Sequence, residues 1–255
     1  MNIRAGLNWV PNLFTLGNLT LGFFAILFSA REGDSAGSLA LSCGLILLAC
    51  LCDGLDGYAA RLLKAQSDLG AQLDSLADLT AFGIAPAVVM YSFALRGINP
   101  VVEGITLPIG MALSAVYPAC AAYRLARFNV AHDPTSFQGL PSPVAGVIVA
   151  LMPLGLQGSF QIPVALMVVI FVGVAFLMVS TIKYSKPQAT VFKRFNPVRL
   201  GILIAFIVIA LIAVGILRSF AISAALLFMI VLVYGISGVI ALILHAVLGQ
   251  RQNSQ

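Results

Sequence analysis

DGLDGYAARLLKAQSDLGAQLDSLADLTAFGIAP, residues 53 to 86, decides how the rest of this chain is read. It carries five of the nine acidic residues of a 255-residue protein that is 60% hydrophobic. Four of them follow a fixed pattern: Asp53-x-x-Asp56-Gly57-x-x-Ala60-Arg61, eight residues, then Gly70-x-x-x-Asp74-x-x-x-Asp78. Steps of three and four place Asp53, Asp56, Gly57, Ala60 and Arg61 on one helical face. Steps of four place Gly70, Asp74 and Asp78 on one face of a second helix. A polar link from Lys64 to Asp68 turns the chain between them. Two antiparallel helices then aim four carboxylates at one point. Packed like charges repel, and divalent cations remove that conflict. An all-carboxylate oxygen set suits hard ions such as Mg²⁺, Mn²⁺ or Ca²⁺. Gly57, Ala60 and Gly70 let a ligand approach the backbone closely. Arg61 is a natural partner for phosphate. Asp68 falls off both faces and reads as a solvated residue of the link or an N-cap.

Long apolar runs flank this stretch. Only 9% of residues are charged, against about 25% in soluble domains, so the chain reads as an all-α, polytopic helical bundle in a lipid bilayer. Apolar runs cover roughly 10–30, 36–57, 70–95, 106–126, 142–158, 162–182, 198–217 and 219–247. A spanning helix needs about 20 residues, so about eight transmembrane helices are expected. The run at 142–158, with Pro143 and Pro153, is the shortest. The N-terminus lacks a strongly basic start followed by a small-residue cleavage site, so the first run reads as a retained helix. No linker composition or internal repeat divides the chain, and residues 1–255 read as one integral membrane domain.

Eight crossings put both termini on one side. Eleven of the fourteen Lys and Arg then share that side: Arg4, Arg61, Lys64, Arg124, Arg127, five in the run Lys183 to Arg199, and Arg251. Arg31, Arg96 and Arg218 lie opposite. The positive-inside rule makes the richer side, which holds the carboxylates, cytoplasmic. The net charge of +5 is therefore read as topology, not as nucleic-acid binding. The basic run reads as a lipid-headgroup-facing loop.

The remaining polar residues carry less. Cys43, Cys50, Cys52 and Cys120 lie in apolar runs without metal-type spacing and read as packing. His132 and His245 read as solvated and interfacial. Asn12, Thr15 and Asn18 share a face of the first helix. Asn12 reads equally as interhelical bonding or as a site residue, whereas Thr15 and Asn18 read as bonds between helices. Arg124 and Arg127 lie one helical step apart, with Asn129 following.

The stretch 53–78 resembles, without a mismatch, the signature of the CDP-alcohol phosphatidyltransferase family. PNLFTLGN near the start, FGIAPA, YRLARFN and GLPSP resemble the branch of that family that uses serine as acceptor. The resemblance covers roughly residues 8–183; residues 198–247 would add two C-terminal transmembrane helices. It implies transfer of a phosphatidyl group from CDP-diacylglycerol to L-serine, with release of CMP. It implies two divalent ions, Mg²⁺ or Mn²⁺, among Asp53, Asp56, Asp74 and Asp78, with Asp78 as general base. Gly57, Arg61 and Ser67 match positions that contact CDP-diacylglycerol, and Gly70 and Asn12 are assigned with them. Arg124, Arg127 and Asn129 are assigned to serine. A homodimer in the cytoplasmic membrane, with the site facing the cytoplasm, is expected by analogy. Two other readings stand beside this one. The first is the same chemistry on glycerol 3-phosphate, an inositol compound or choline. The second is a divalent-cation transporter, whose site would more usually lie near the bilayer midplane with paired repeats.

Overall fold

The structure is a computed structural model and describes residues 9–31, 35–63, 67–102, 105–130, 137–156, 163–184, 227–233 and 235. Six helical rods make up most of it: α1 Val10–Ala30, α2 Ser35–Leu63, α3 Asp68–Leu95, α4 Ile109–Val130, α5 Ser142–Leu156 and α6 Val164–Val179. α1, the stretch Gly37–Gly57 of α2, α3 and α4 are long and apolar enough to cross a membrane, whereas α5 and α6 are shorter apolar helices. Of the eight expected spans, 198–217 lies outside the described residues, and 219–247 is described only at 227–233, which is helical, and at 235. Lys64, His132, His245 and the side chain of Arg61 also lie outside them.

α3 and α5 form the centre. Ala145 and the residues from Val147 to Met152 of α5 are all buried. A helix that is apolar all round belongs inside a bundle. On the outer surface Phe23, Phe24, Leu27, Leu41, Leu48, Val169 and Phe176 are exposed, as a lipid-facing surface requires. Small residues bring the rods together, because hydrocarbon supplies no hydrophobic force between helices. A Cβ at Gly22 of α1 would lie 2.6 Å from the Ala81 Cα of α3, so those two backbones touch.

α3 is not regular. It widens into i→i−5 turns at Leu79–Ile84 and Tyr91–Leu95. Pro86 has no N–H and its ring opposes the carbonyl four residues back. The wider turn absorbs that conflict: the Ala85 N–H bonds Thr80 O, and the Arg96 N–H bonds Tyr91 O. Such wide turns often lie beside functional residues, and here the first begins directly after Asp78.

Four two-residue strands complete the described backbone. β1 Val101–Val102 pairs antiparallel with β2 Ile105–Thr106. β3 Phe137–Gln138 pairs antiparallel with β4 Lys183–Tyr184, tying the turn before α5 to the end of α6. Gly139 in that turn has φ +80°, a conformation that favours glycine, and a Cβ there would collide with Met178 O.

Candidate active site

α2 runs unbroken through Asp53 and Asp56 to Leu63, and α3 begins five residues later at Asp68. Ser67 caps α3: its Oγ accepts from the Gly70 N–H at 3.0 Å. Asp68 sits exposed in the first turn, where a negative charge suits the helix dipole. The N-cap expected as one option for Asp68 is thus its neighbour, because only Ser67 has the extended backbone a cap needs.

Asp53, Asp56 and Asp74 each turn one oxygen to a common point, and these atoms all lie within 4.8 Å of one another. Asp56 is 6% exposed, and Asp53 and Asp74 are half-buried. Three carboxylates gathered at the mouth of membrane helices favour a cation strongly. The donor set is all oxygen, which fits a hard divalent ion. A second observation agrees: Asn18 Oδ1, on the side chain that contacts the neighbouring Asp78, is fully buried and has no hydrogen-bond partner. A buried acceptor left unpaired is costly, and added positive charge nearby would relieve it. The residues therefore fit the metal ions that the family resemblance implies.

Asp78 is buried as well, 7% exposed, and is not one of the three converging groups. Its carboxyl is gripped from two sides. Ser142 Oγ donates to Oδ2 at 3.3 Å, and Asn18 Nδ2 makes a long 3.5 Å contact with Oδ1. Ser142 Oγ in turn accepts from Arg124 Nη1 at 2.7 Å. Arg124 is 6% exposed, is the cation facing Asp78 and Asp53, and stacks on Phe128 at 5.8 Å. Thr15 Oγ1 lies 3.0 Å from Asp56 Oδ2 and 3.1 Å from Pro11 O. It has one proton to give, and the charged oxygen is the stronger acceptor.

Asn12, Ser67 and Gly70 come together at the start of α3. A Cβ at Gly70 would meet Ser67 Oγ at 3.1 Å and Asn12 Oδ1 at 3.3 Å. A Cβ at Gly57 would meet nothing within 4 Å, so there is room against the backbone beside Asp56. Asn129 Nδ2 donates to Ser75 Oγ at 3.0 Å, and Ser75 passes its own proton to Ala71 O at 3.1 Å. That pair pins the end of α4 to the first half of α3.

Arg127 is placed differently from Arg124. Its Nη1 donates to Val179 O at 2.8 Å, and its Nη2 donates to Gln138 O at 3.0 Å and Ser180 O at 3.1 Å. The guanidinium thus satisfies carbonyls at the open end of α6 and in β3, positions where a helix leaves acceptors unpaired. Arg127→Ala should lower stability by about 1.5–3 kcal/mol. Thermal unfolding in detergent checks this, and an unchanged midpoint would show that those bonds are dispensable.

Sequence reading did not assign Thr15, Asn18 or Ser142 to the site. The signals were present in weak form. Asn12, Thr15 and Asn18 share a helix face, and Ser142 sits between Pro141 and Pro143. Nothing local says that these side chains meet carboxylates.

The model of the family described as CDP-alcohol phosphatidyltransferase matches residues 8–179. The chain belongs to that family: it is a transferase of phospholipid synthesis built from apolar helices. Among its curated relatives, the CDP-diacylglycerol–serine O-phosphatidyltransferase of Helicobacter pylori is 37% identical over 183 residues, covering 68% of this chain and 70% of the relative. The enzyme of the same name from Bacillus subtilis is 36% identical over 181 residues, covering 70% of this chain and 90% of the relative. The archaetidylserine synthase of Methanothermobacter thermautotrophicus is 36% identical over 183 residues, covering 69% and 70%.

Proposed function

We propose that this enzyme transfers a phosphatidyl group from CDP-diacylglycerol to the hydroxyl of L-serine, giving phosphatidylserine and CMP. The observation that carries the reading is the pairing of two unlike halves. A three-carboxylate oxygen cage suits a pyrophosphate held through divalent ions, and beside it a buried Arg124 is linked through Ser142 to the adjoining carboxyl of Asp78. The names of the relatives support serine as the acceptor.

Asp53, Asp56 and Asp74 would hold divalent ions, with Asp78 adjacent as the fourth carboxylate of the set. When bound, a pair of Mg²⁺ or Mn²⁺ ions supplies charge stabilisation at the pyrophosphate and the departing CMP. Asn12, Ser67, Gly70 and Gly57 receive the nucleotide lipid in this reading, and Arg61 is proposed to contact its phosphates. Arg124 orients the amino acid by its carboxylate. Asn129 holds the nearby end of α4, and Arg127 holds the rim formed by β3 and α6. The serine oxygen bonds to the phosphatidyl phosphorus as the bond to the CMP oxygen breaks, and Asp78 takes the serine proton. Catalysis here is mostly positioning and charge stabilisation. The site faces the cytoplasm of a cytoplasmic-membrane enzyme in this reading, and the working unit is a homodimer.

Labelled serine tests the acceptor. Purified protein given CDP-diacylglycerol and Mn²⁺ should turn it into a chloroform-soluble aminophospholipid. Product with glycerol 3-phosphate, an inositol compound or choline, and none with serine, would discard the serine assignment. Arg124→Lys should raise the KM for serine about 10- to 100-fold, equivalent to ~1.4–3 kcal/mol, with the KM for CDP-diacylglycerol unmoved. Unchanged constants for both substrates would make Arg124 a structural residue only.

A further inference from the structure

Ser142 occupies a position that the chemistry above does not use. Its side chain is fully buried and lies between the one buried guanidinium among the described residues and the buried carboxyl of Asp78. Arg124 Nη1 reaches it at 2.7 Å, and it reaches Asp78 Oδ2 at 3.3 Å. Among side chains a hydroxyl is the group that both accepts well from a guanidinium and donates well to a carboxylate through one atom. Its backbone is held too. It is the first residue of α5, with Pro141 before it and Pro143 after it. Pro141 O accepts from the Ala145 N–H at 3.0 Å. Proline fixes its own φ and restricts the residue before it.

We propose that Ser142 is a positioning residue that keeps Arg124 and Asp78 apart while linking them. Without the hydroxyl, a buried Arg and a buried Asp this close would pair directly, because each is costly to leave unpaired. A direct pair would occupy the guanidinium that orients the acceptor and the carboxyl that takes its proton. Ser142 satisfies one nitrogen of Arg124 and one oxygen of Asp78 with a neutral group. Both charged groups are spared a direct pairing with each other. Ser142 thereby fixes the separation between the group that holds the acceptor and the group that deprotonates it. This rests on the proposed roles of Arg124 and Asp78 and adds a residue to them.

The prediction is a specific kinetic pattern. At saturating Mn²⁺, Ser142→Ala should lower kcat and raise the KM for serine, each about 10- to 100-fold, while the KM for CDP-diacylglycerol stays put. Mn²⁺ should still titrate in at the wild-type stoichiometry by electron paramagnetic resonance, since Asp53, Asp56 and Asp74 are untouched. Ser142→Thr keeps the hydroxyl and should recover most of both losses. If Ser142→Ala does not fold, Ser142→Cys compared with Ser142→Thr makes the same test, because a thiol is a poor acceptor and a weak donor. Thr no better than Ala or Cys would overturn the proposal, and so would a loss confined to the CDP-diacylglycerol KM or to Mn²⁺ binding. If the wild type uses another alcohol, the serine assignment fails separately. The kcat of the Ser142 variants is then measured with that alcohol, and a wild-type kcat for Ser142→Ala overturns the positioning role.

Discussion

Asp56→Asn should lower CMP release by about a thousandfold and abolish tight Mn²⁺ binding. Asn keeps the size and one oxygen of Asp but removes the charge. Asp56 is the most buried of the three converging carboxylates, so little water can replace what it loses. It comes from α2, as does Asp53, while Asp74 comes from α3. Losing one ligand therefore leaves the cation bound by one residue from each helix. The loss expected for removing one electrostatic stabiliser of a transition state is about 10²–10³-fold, and weakened metal binding adds to it. Steady-state CMP release and Mn²⁺ titration in the same preparation check both halves. Thr15→Val gives a graded comparison, since it removes only the 3.0 Å hydrogen bond to Asp56 Oδ2 and should cost about 10- to 100-fold. An Asp56→Asn protein with wild-type turnover would remove the oxygen cage from the mechanism.

Asp78→Asn is the second large effect, and its signature differs. Here kcat should fall about 10²- to 10⁴-fold, the usual contribution of a general base, while Mn²⁺ still binds at Asp53, Asp56 and Asp74. Asn at this position can still accept from Ser142, so that hydrogen bond survives and the fold should hold. The separation of the two outcomes follows from the geometry. Asp56 belongs to the group whose oxygens converge, whereas Asp78 lies outside that group, beside Asp53, and contacts Ser142 and Asn18. Near-normal turnover of Asp78→Asn with metal bound would show that another group takes the proton.

The residues differ in how far the chain alone revealed them. The four Asp were legible because carboxylates at helical spacing between long apolar runs are too costly in lipid to stand there without a role. The irregular course of α3 was signalled by Pro86, although the turns that absorb it depend on how α3 packs. Thr15, Asn18 and Ser142 were not legible as site residues. A hydroxyl or amide in a membrane helix most often bonds a neighbouring helix. Here the neighbour's group happens to be a carboxylate 41 to 64 residues away. Arg124 and Arg127 look alike in sequence, one helical step apart near the end of the same helix. What separates them is the acceptor within reach. Arg127 meets the carbonyls that α6 leaves open, and Arg124 meets a serine that leads to Asp78. Residue type and spacing carry no information about that choice.

The central claim is that the acidic cage performs metal-dependent transfer from a nucleotide-activated lipid. It is tested most directly by CMP release from CDP-diacylglycerol and serine, run with Mn²⁺ and again after chelation with EDTA. Release should stop with EDTA and return when Mn²⁺ or Mg²⁺ is restored in excess. Release that continues unchanged through chelation, from protein stripped of metal, would contradict it.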